Sequence, residues 1–240
     1  MYQKEQLSDK YTSIILEDIK NGIYTNADIL PAESTIAEHY GISRTMLRDC
    51  LATLEREGFI TRKHGLGTFI NKPVMDVKVR MDIETEFLDM VKKSGYEPGA
   101  KDIFSEIIHS EEINEKLKLH DRQILKVVRT ITADGHPAIY CEDYMPEDMI
   151  EDSDYNPKTL EKTIFYFMEK YCNTRVNLDL TEVSAIKADK FISGKLEIPS
   201  GEAILYLDEI GYNLVGQPVL YSKEYYANEY FHHMILRKKL

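Results

Sequence analysis

Tryptophan is absent from the 240 residues, and cysteine occurs only three times. Cys50, Cys141 and Cys172 are far apart and odd in number, which speaks against a disulfide framework and suits a reducing cytosol. No apolar run approaches the roughly 20 residues that span a bilayer. No signal peptide opens the chain either, so a cytoplasmic protein with no membrane partner is expected. The seven histidines lack metal-ligand spacing, His232 and His233 being adjacent rather than a helical turn apart. No Ser/His/Asp order, phosphate-cradling loop or dinucleotide fingerprint stands out. Neither a catalytic residue, a metal nor a cofactor is expected.

Positive charge is also scarce. The chain holds 30 Lys+Arg against 41 Asp+Glu, a formal net charge of -11. The deficit is uneven: residues 1–72 hold 9 Lys+Arg against 10 Asp+Glu, whereas residues 73–240 hold 21 against 31. Within the first part, residues 43–72 carry 6 basic against 3 acidic side chains. An acidic bulk with one cationic face is compatible with nucleic-acid binding, because the local field steers the encounter.

The cationic stretch has an organised surrounding. A helix is expected from about Leu7 to Asn21, with Leu7, Tyr11, Ile14, Ile15 and Ile19 on its buried side. Pro31 opens a short second helix through Glu33–Tyr40. Gly41-Ile42 makes a tight turn, and Ser43 is the N-cap of a third helix to about Glu57. Leu47, Leu51 and Leu54 form the buried stripe of that helix, which leaves Arg44, Thr45, Met46 and Arg48 on the opposite side near its amino end. Two helices joined this way fit a major-groove reader. Residues 59–63 and 68–70 alternate like two strands around the turn His64-Gly65-Leu66-Gly67, a wing able to lay Arg62, Lys63 and His64 on phosphates.

The run LPAESTIAEHYGISRTMLRDCLATLEREGFITRKHGLGTFI resembles the winged helix-turn-helix signature of GntR-family bacterial transcription regulators. The resemblance covers about residues 7–72 and implies DNA contacts by Arg44, Thr45 and Arg48, and by His64 and Gly65 at the wing tip. The family often has arginine after the Leu-Pro-x-Glu glutamate, where it helps to read bases; here that position is Ser34. Ser34, Ser43 and Met46 complete the candidate reading surface.

Residues 73–84 read as a polar linker, and residues 85–240 as a second domain. A helix is expected over Glu86–Ser94, a strand over Ile103–Ser110 and a short helix over Glu112–Leu117. This second part contains an internal echo. Ile113–Val127 matches Ile192–Leu207 at an offset of 79 and then 80 residues, and Gly135-His136-Pro137 answers Gly216-Gln217-Pro218 at 81. Tyr140 answers Tyr221, and Tyr144 answers Tyr225. A repeat of two units suggests two related halves sharing one sheet. Between the echoes, Pro157–Cys172 is expected as a helix with Leu160, Ile164, Phe165, Met168 and Tyr171 in its core stripe, and Tyr166 and Phe167 packed beside it.

On the strand Ile124–Ile131, alternation sets Arg129 in a row with Leu125, Val127 and Ile131. A buried arginine needs a partner. Its repeat mate is Glu209, and two readings stay open: an anchor for a ligand, or a framework pair with Glu209 or another carboxylate. The segment from about Phe87 to Phe231 is similar to the UTRA effector domain of the HutC branch of GntR regulators, whose fold is like chorismate lyase. Arg129–Pro137 and Gly216–Ser222 carry that resemblance. It implies an α+β protein with a mixed-sheet effector domain, a small-metabolite pocket and a homodimer. Sugar-phosphate sensors of this branch use arginine at the positions of Arg129 and Ile131, carboxylates at those of Cys141 and Leu220, serine at Thr163 and tyrosine at Tyr226. Only Arg129, Thr163 and Tyr226 keep that chemistry here. Glu86, with Phe87 after it, stands where such sensors place a small hydroxyl residue near phosphate, and a carboxylate there repels a dianion. Phe165 and Glu209 complete the candidate effector residues. The expected effector is a sugar, nucleoside or organic acid, with phosphate disfavoured.

The expectation is therefore a ligand-responsive repressor that binds a pseudo-palindromic operator in double-stranded DNA as a homodimer. Its linker would let the DNA-reading heads reorient. Two alternatives stand beside it: an enzyme using the lyase-like pocket, and an architectural DNA-binding dimer with a vestigial pocket.

Overall fold

Ile15 and Ile19 of helix α1 (Leu7–Lys20) are buried, whereas Leu7 and Ile14, expected on the same side, are 56% and 37% exposed. The inner face of α1 is therefore narrower than its apolar periodicity suggests. This computed structural model describes residues 7–152, 154–161 and 163–238. Strand β1 (Ile29–Leu30) follows, then α2 (Glu33–Tyr40) and α3 (Arg44–Arg56). Gly41 ends α2 at φ +64°, a left-handed conformation that favours glycine. The Ser43 Oγ accepts from the Met46 amide at 3.2 Å and caps α3. Leu47, Cys50, Leu51 and Leu54 seal α3 against the rest of the unit. Strands β2 (Ile60–Lys63) and β3 (Gly67–Ile70) pair antiparallel as a wing, with β1 on the other side of β3.

The expected linker is folded. Helix α4 (Lys72–Met75) and strand β4 (Val79–Arg80) belong to the same compact unit as the winged helix, which runs to Asp82 and takes back the segment from Met234. Arg80 explains why. It is 8% exposed, donates to the Glu57 carbonyl at 2.8 Å, pairs with Asp82 at 2.5 Å and lies over the Phe59 ring. Lys238 donates to the Glu55 carbonyl at 2.9 Å, which ties the returning segment down. The chain thus crosses between units at two points, 82–83 and 233–234, rather than through one long tether.

The second unit, Ile83–His233, starts with α5 (Phe87–Ser94) and β5 (Pro98–His109). Then come α6 (Glu111–Lys116), β6 (Gln123–Ala133), β7 (His136–Pro146), α7 (Ile164–Tyr171), β8 (Leu178–Lys187), α8 (Lys190–Leu196), β9 (Ala203–Tyr212) and β10 (Pro218–Tyr226). Its six strands form one antiparallel sheet in the order β5-β6-β7-β10-β9-β8. The echo is this order: two three-stranded meanders meet back to back at β7 and β10. Glu142 lies directly opposite Lys223, its own mate at offset 81, so the local two-fold relating the halves passes through that pair. The echoed helices α6 and α8 cover one face, over Tyr144 and Tyr221 and over Tyr140 respectively. On the other face, α7 packs on Leu125, Val127, Met145, Val219 and Leu220.

The helix expected over 157–172 is broken. A 3₁₀ turn spans Pro157–Glu161, Lys162 lies outside the described residues, and α7 begins only after Thr163. Thr163 is the N-cap: its Oγ1 accepts from the Tyr166 amide at 3.1 Å. A threonine that competes for its own backbone in this way stops a continuous helix. Tyr166 is turned outward and 36% exposed, while Phe167 is fully buried.

Candidate functional sites

In the first unit, burial of the leucine stripe presents Ser43, Arg44, Thr45 and Arg48 to solvent, with Met46 half-buried at the edge. Ser34 is exposed on α2, and Arg62, Lys63, His64 and Gly65 are exposed on the wing. Gly65 sits at φ +73° with nothing near its absent Cβ, so conformation rather than crowding calls for glycine at the tip. Two of the arginines are held by acids. Arg48 Nε bonds Glu33 at 2.8 Å, bridging α3 to α2. The Arg62 amide and Nε bond the two oxygens of Glu55 at 2.8 and 2.7 Å. Burial pushes the Glu55 carboxyl up, but these bonds and the Arg62 charge outweigh it and hold the group below its usual range. Among the described residues Arg44 and His64 have no such acidic bridge, and with the amino end of α3 they form a surface suited to phosphate oxygens.

In the second unit, a narrow recess opens between the sheet, the segment before α5 and the amino end of α7. Its floor is a buried triad: Arg129 Nη2 on Asp143 Oδ2 at 2.5 Å, with Ser222 Oγ donating to Asp143 Oδ1 at 2.7 Å. Burial opposes the Arg129 charge, but the carboxylate of Asp143, with Glu86 beyond it, offsets this and keeps the guanidinium charged. The guanidinium also lies over the Phe87 ring, 5.8 Å from its centroid. Carboxylates make up most of the polar wall. Glu86 is pushed up by burial, partly countered by a Thr163 hydroxyl bond and by Arg129. Glu84 has solvent on one side, yet desolvation of its carboxyl, then Glu209, Asp179 and Glu86, push it up to about 8. Glu224 is 7% exposed and raised well above the usual range, first by burial and then by Glu209, although the Tyr226 hydroxyl bonds it. Thr85, Ile164 and Phe165 complete the lining.

Residues 93–232 match the UTRA domain, and residues 8–70 match the bacterial regulatory proteins of the gntR family. The chain belongs to the GntR family and carries a UTRA domain. The HTH-type transcriptional repressor NagR of Bacillus subtilis is 28% identical over 213 residues, spanning 88% of this chain and 86% of that protein. The regulator GmuR of the same organism is 25% identical over 221 residues, spanning 89% and 90%. The crystal structure of the possible transcriptional regulator YydK from Bacillus subtilis shares the fold, with a TM-score of 0.78 at 19% identity over 98% of this chain and 100% of that one. This GntR protein is a repressor-like transcription regulator and not an enzyme, as its named relatives are. Among the described residues no helix is long and apolar enough to cross a membrane.

Of the residues singled out in the sequence, the recess brings together Glu86, Phe87, Arg129, Thr163 and Phe165. Tyr226 stands behind, its ring against Phe87 and its hydroxyl on Glu224, and Glu209 lies on the next strand, held by the Thr181 hydroxyl at 2.7 Å. Ile131, Cys141 and Leu220 do not line it. They are 2%, 0% and 2% exposed; Leu220 packs under α7, and the Cys141 thiol, pushed up by burial, turns to the Arg129 carbonyl at 3.6 Å. An apolar or thiol side chain closes into the sheet where a charged one would have to stay open to ligand. Glu84, Asp143, Ser222 and Glu224 were missed. The echo carried a signal for two of them, because Asp143 and Glu224 are acidic mates at offset 81 on the face that Arg129 shares.

Proposed function

We propose that this GntR protein is a cytoplasmic repressor that binds a pseudo-palindromic operator as a homodimer, and that a small molecule in the UTRA recess sets its operator affinity. The reading surface is Ser34, Ser43, Arg44, Thr45, Met46, Arg48 and the wing residues Arg62, Lys63, His64 and Gly65. The observation that carries the effector half is the Arg129–Asp143–Ser222 triad, a charge pair buried at the foot of the recess. Buried charge of this kind costs stability unless it is paired, and its placement against open space suits recognition of a polar ligand. Ligand shifts operator affinity only by binding one arrangement of the heads better than another. The two chain crossings, at 82–83 and 233–234, are where such a change would be absorbed.

The test is fluorescence anisotropy of a labelled fragment of the protein's own promoter, run with and without metabolites that raise the thermal midpoint of the protein. Salt-sensitive binding that a stabilising metabolite weakens supports the reading. Operator affinity unchanged at saturating metabolite overturns its effector half, and absence of salt-sensitive binding overturns its DNA half.

A further inference from the structure

The two halves of the UTRA sheet match residue for residue at the recess, and there they differ in charge. Arg129 of the first half answers Glu209 of the second at offset 80, and Asp143 answers Glu224 at offset 81. The strand registers keep the equivalence: Arg129 faces Cys141 as Glu209 faces Ser222, which is the mate of Cys141. In the first half the diagonal pair is a cation on an anion, at 2.5 Å. In the second half the same diagonal is Glu209 and Glu224, two carboxyls on adjacent strands, held by the hydroxyls of Thr181 and Tyr226. The fold therefore repeats an ion-pair geometry and omits its cation from one copy.

We infer that the recess takes a small cationic effector, a hydroxylated molecule carrying a protonated amine, whose charged nitrogen occupies the second-half counterpart of the Arg129 guanidinium beside Glu224 and Glu84. The inference rests on the recess being the effector site, as proposed above, and names its ligand class. Glu84 enters the same wall from the segment before α5, and Glu86 flanks it. The cation on the recess wall, Arg129, already has Asp143 as its counter-ion. An incoming phosphate or carboxylate would meet Glu84, Glu86 and Glu224 with no complementary charge set aside for it. A neutral polyol would find hydroxyl partners in Thr163 and Ser222 but would leave the acids to be neutralised by protons. An ammonium replaces those protons with a salt bridge in a desolvated site. The recess is narrow, which limits the molecule to the small end of ligand sizes.

The experiment compares three six-carbon chains that differ in charge: glucamine, sorbitol and gluconate. Each is titrated into the full-length protein, read by thermal midpoint and by anisotropy of the promoter fragment. Glucamine should stabilise the protein at a concentration roughly tenfold lower than sorbitol, and gluconate should give no shift. Glu224→Gln should abolish the preference for glucamine over sorbitol, and Glu84→Gln, at the wetter edge, should reduce it. Gluconate matching or exceeding glucamine, no shift with glucamine, or an unaltered preference in Glu224→Gln overturns the inference. If gluconate both stabilises the protein and changes operator binding, the charge assignment falls while the effector reading stands. If glucamine stabilises the protein without changing operator binding, the ligand class stands and control of the operator falls.

Discussion

Replacing Arg48 by alanine separates a DNA contact from a structural one. In the free protein Arg48 bridges Glu33 at 2.8 Å, with the two side chains 63% and 32% exposed. An ion pair that wet is worth about 0–1 kcal/mol, and the alanine it becomes is a better helix former. The thermal midpoint should therefore move by only a few degrees. Binding should change far more. One phosphate contact contributes about 0.9 to the slope of log affinity against log salt. Arg48→Ala should lower that slope by about one, so that a fourfold rise in salt costs the variant roughly three- to fourfold less affinity than it costs the parent. If Arg48 reaches a base edge instead, about 1–3 kcal/mol of discrimination disappears and the salt slope is unchanged. The assay is anisotropy of the promoter duplex and of a scrambled duplex, from 50 to 200 mM salt. Unchanged slope together with unchanged discrimination between the duplexes would show that this face of α3 does not meet DNA.

Glu33→Gln probes the same bridge from the other side: it frees Arg48 and removes a negative charge from the reading face, so promoter affinity should rise severalfold at low salt by the same anisotropy assay. Arg129→Met leaves Asp143 buried without its counter-ion and should destabilise the protein by about 3–5 kcal/mol in urea unfolding, with the double variant Arg129→Met/Asp143→Leu recovering part of the loss. Glu84 titrates near 8 when folded against an ordinary value of 4.5, so the folded state keeps a proton that the unfolded chain has released. The stability this contributes is full below the ordinary value and lost as pH rises toward 8. Glu84→Gln should thus gain on the parent in urea midpoint between pH 5 and pH 8.5, by a modest amount because one side of Glu84 is wet; a parent that gains on the variant over that range would refute the assignment.

The reading head was legible because its determinants are local. Ser43, Gly41 and the Leu47–Leu51–Leu54 stripe act within one or two helical turns, and the wing turn needs only its own glycines. The echo was legible for the same reason, since each helix–strand–turn–strand unit repeats its own pattern, and it anticipated two halves sharing one sheet. The break before α7 was missed because Thr163 suits a helix interior about as well as many residues until its hydroxyl takes the Tyr166 amide. The segment at 73–82 read as a linker because little in its composition reveals that Arg80 lies on Phe59 and Glu57.

By itself, the sequence determined the family, the cationic face of an acidic chain, the alternation that turns Arg129 inward and the twofold echo. Tertiary structure alone decided that Arg129 takes Asp143 rather than Glu209, that Ile131, Cys141 and Leu220 seal the sheet, and that Glu84 and Glu224 share a wall. Alternation assigns a side chain to a face, but its partner depends on the register between strands far apart in the chain. In this protein the register of β7 on β10 places one half's cation and the other half's acids in the same recess.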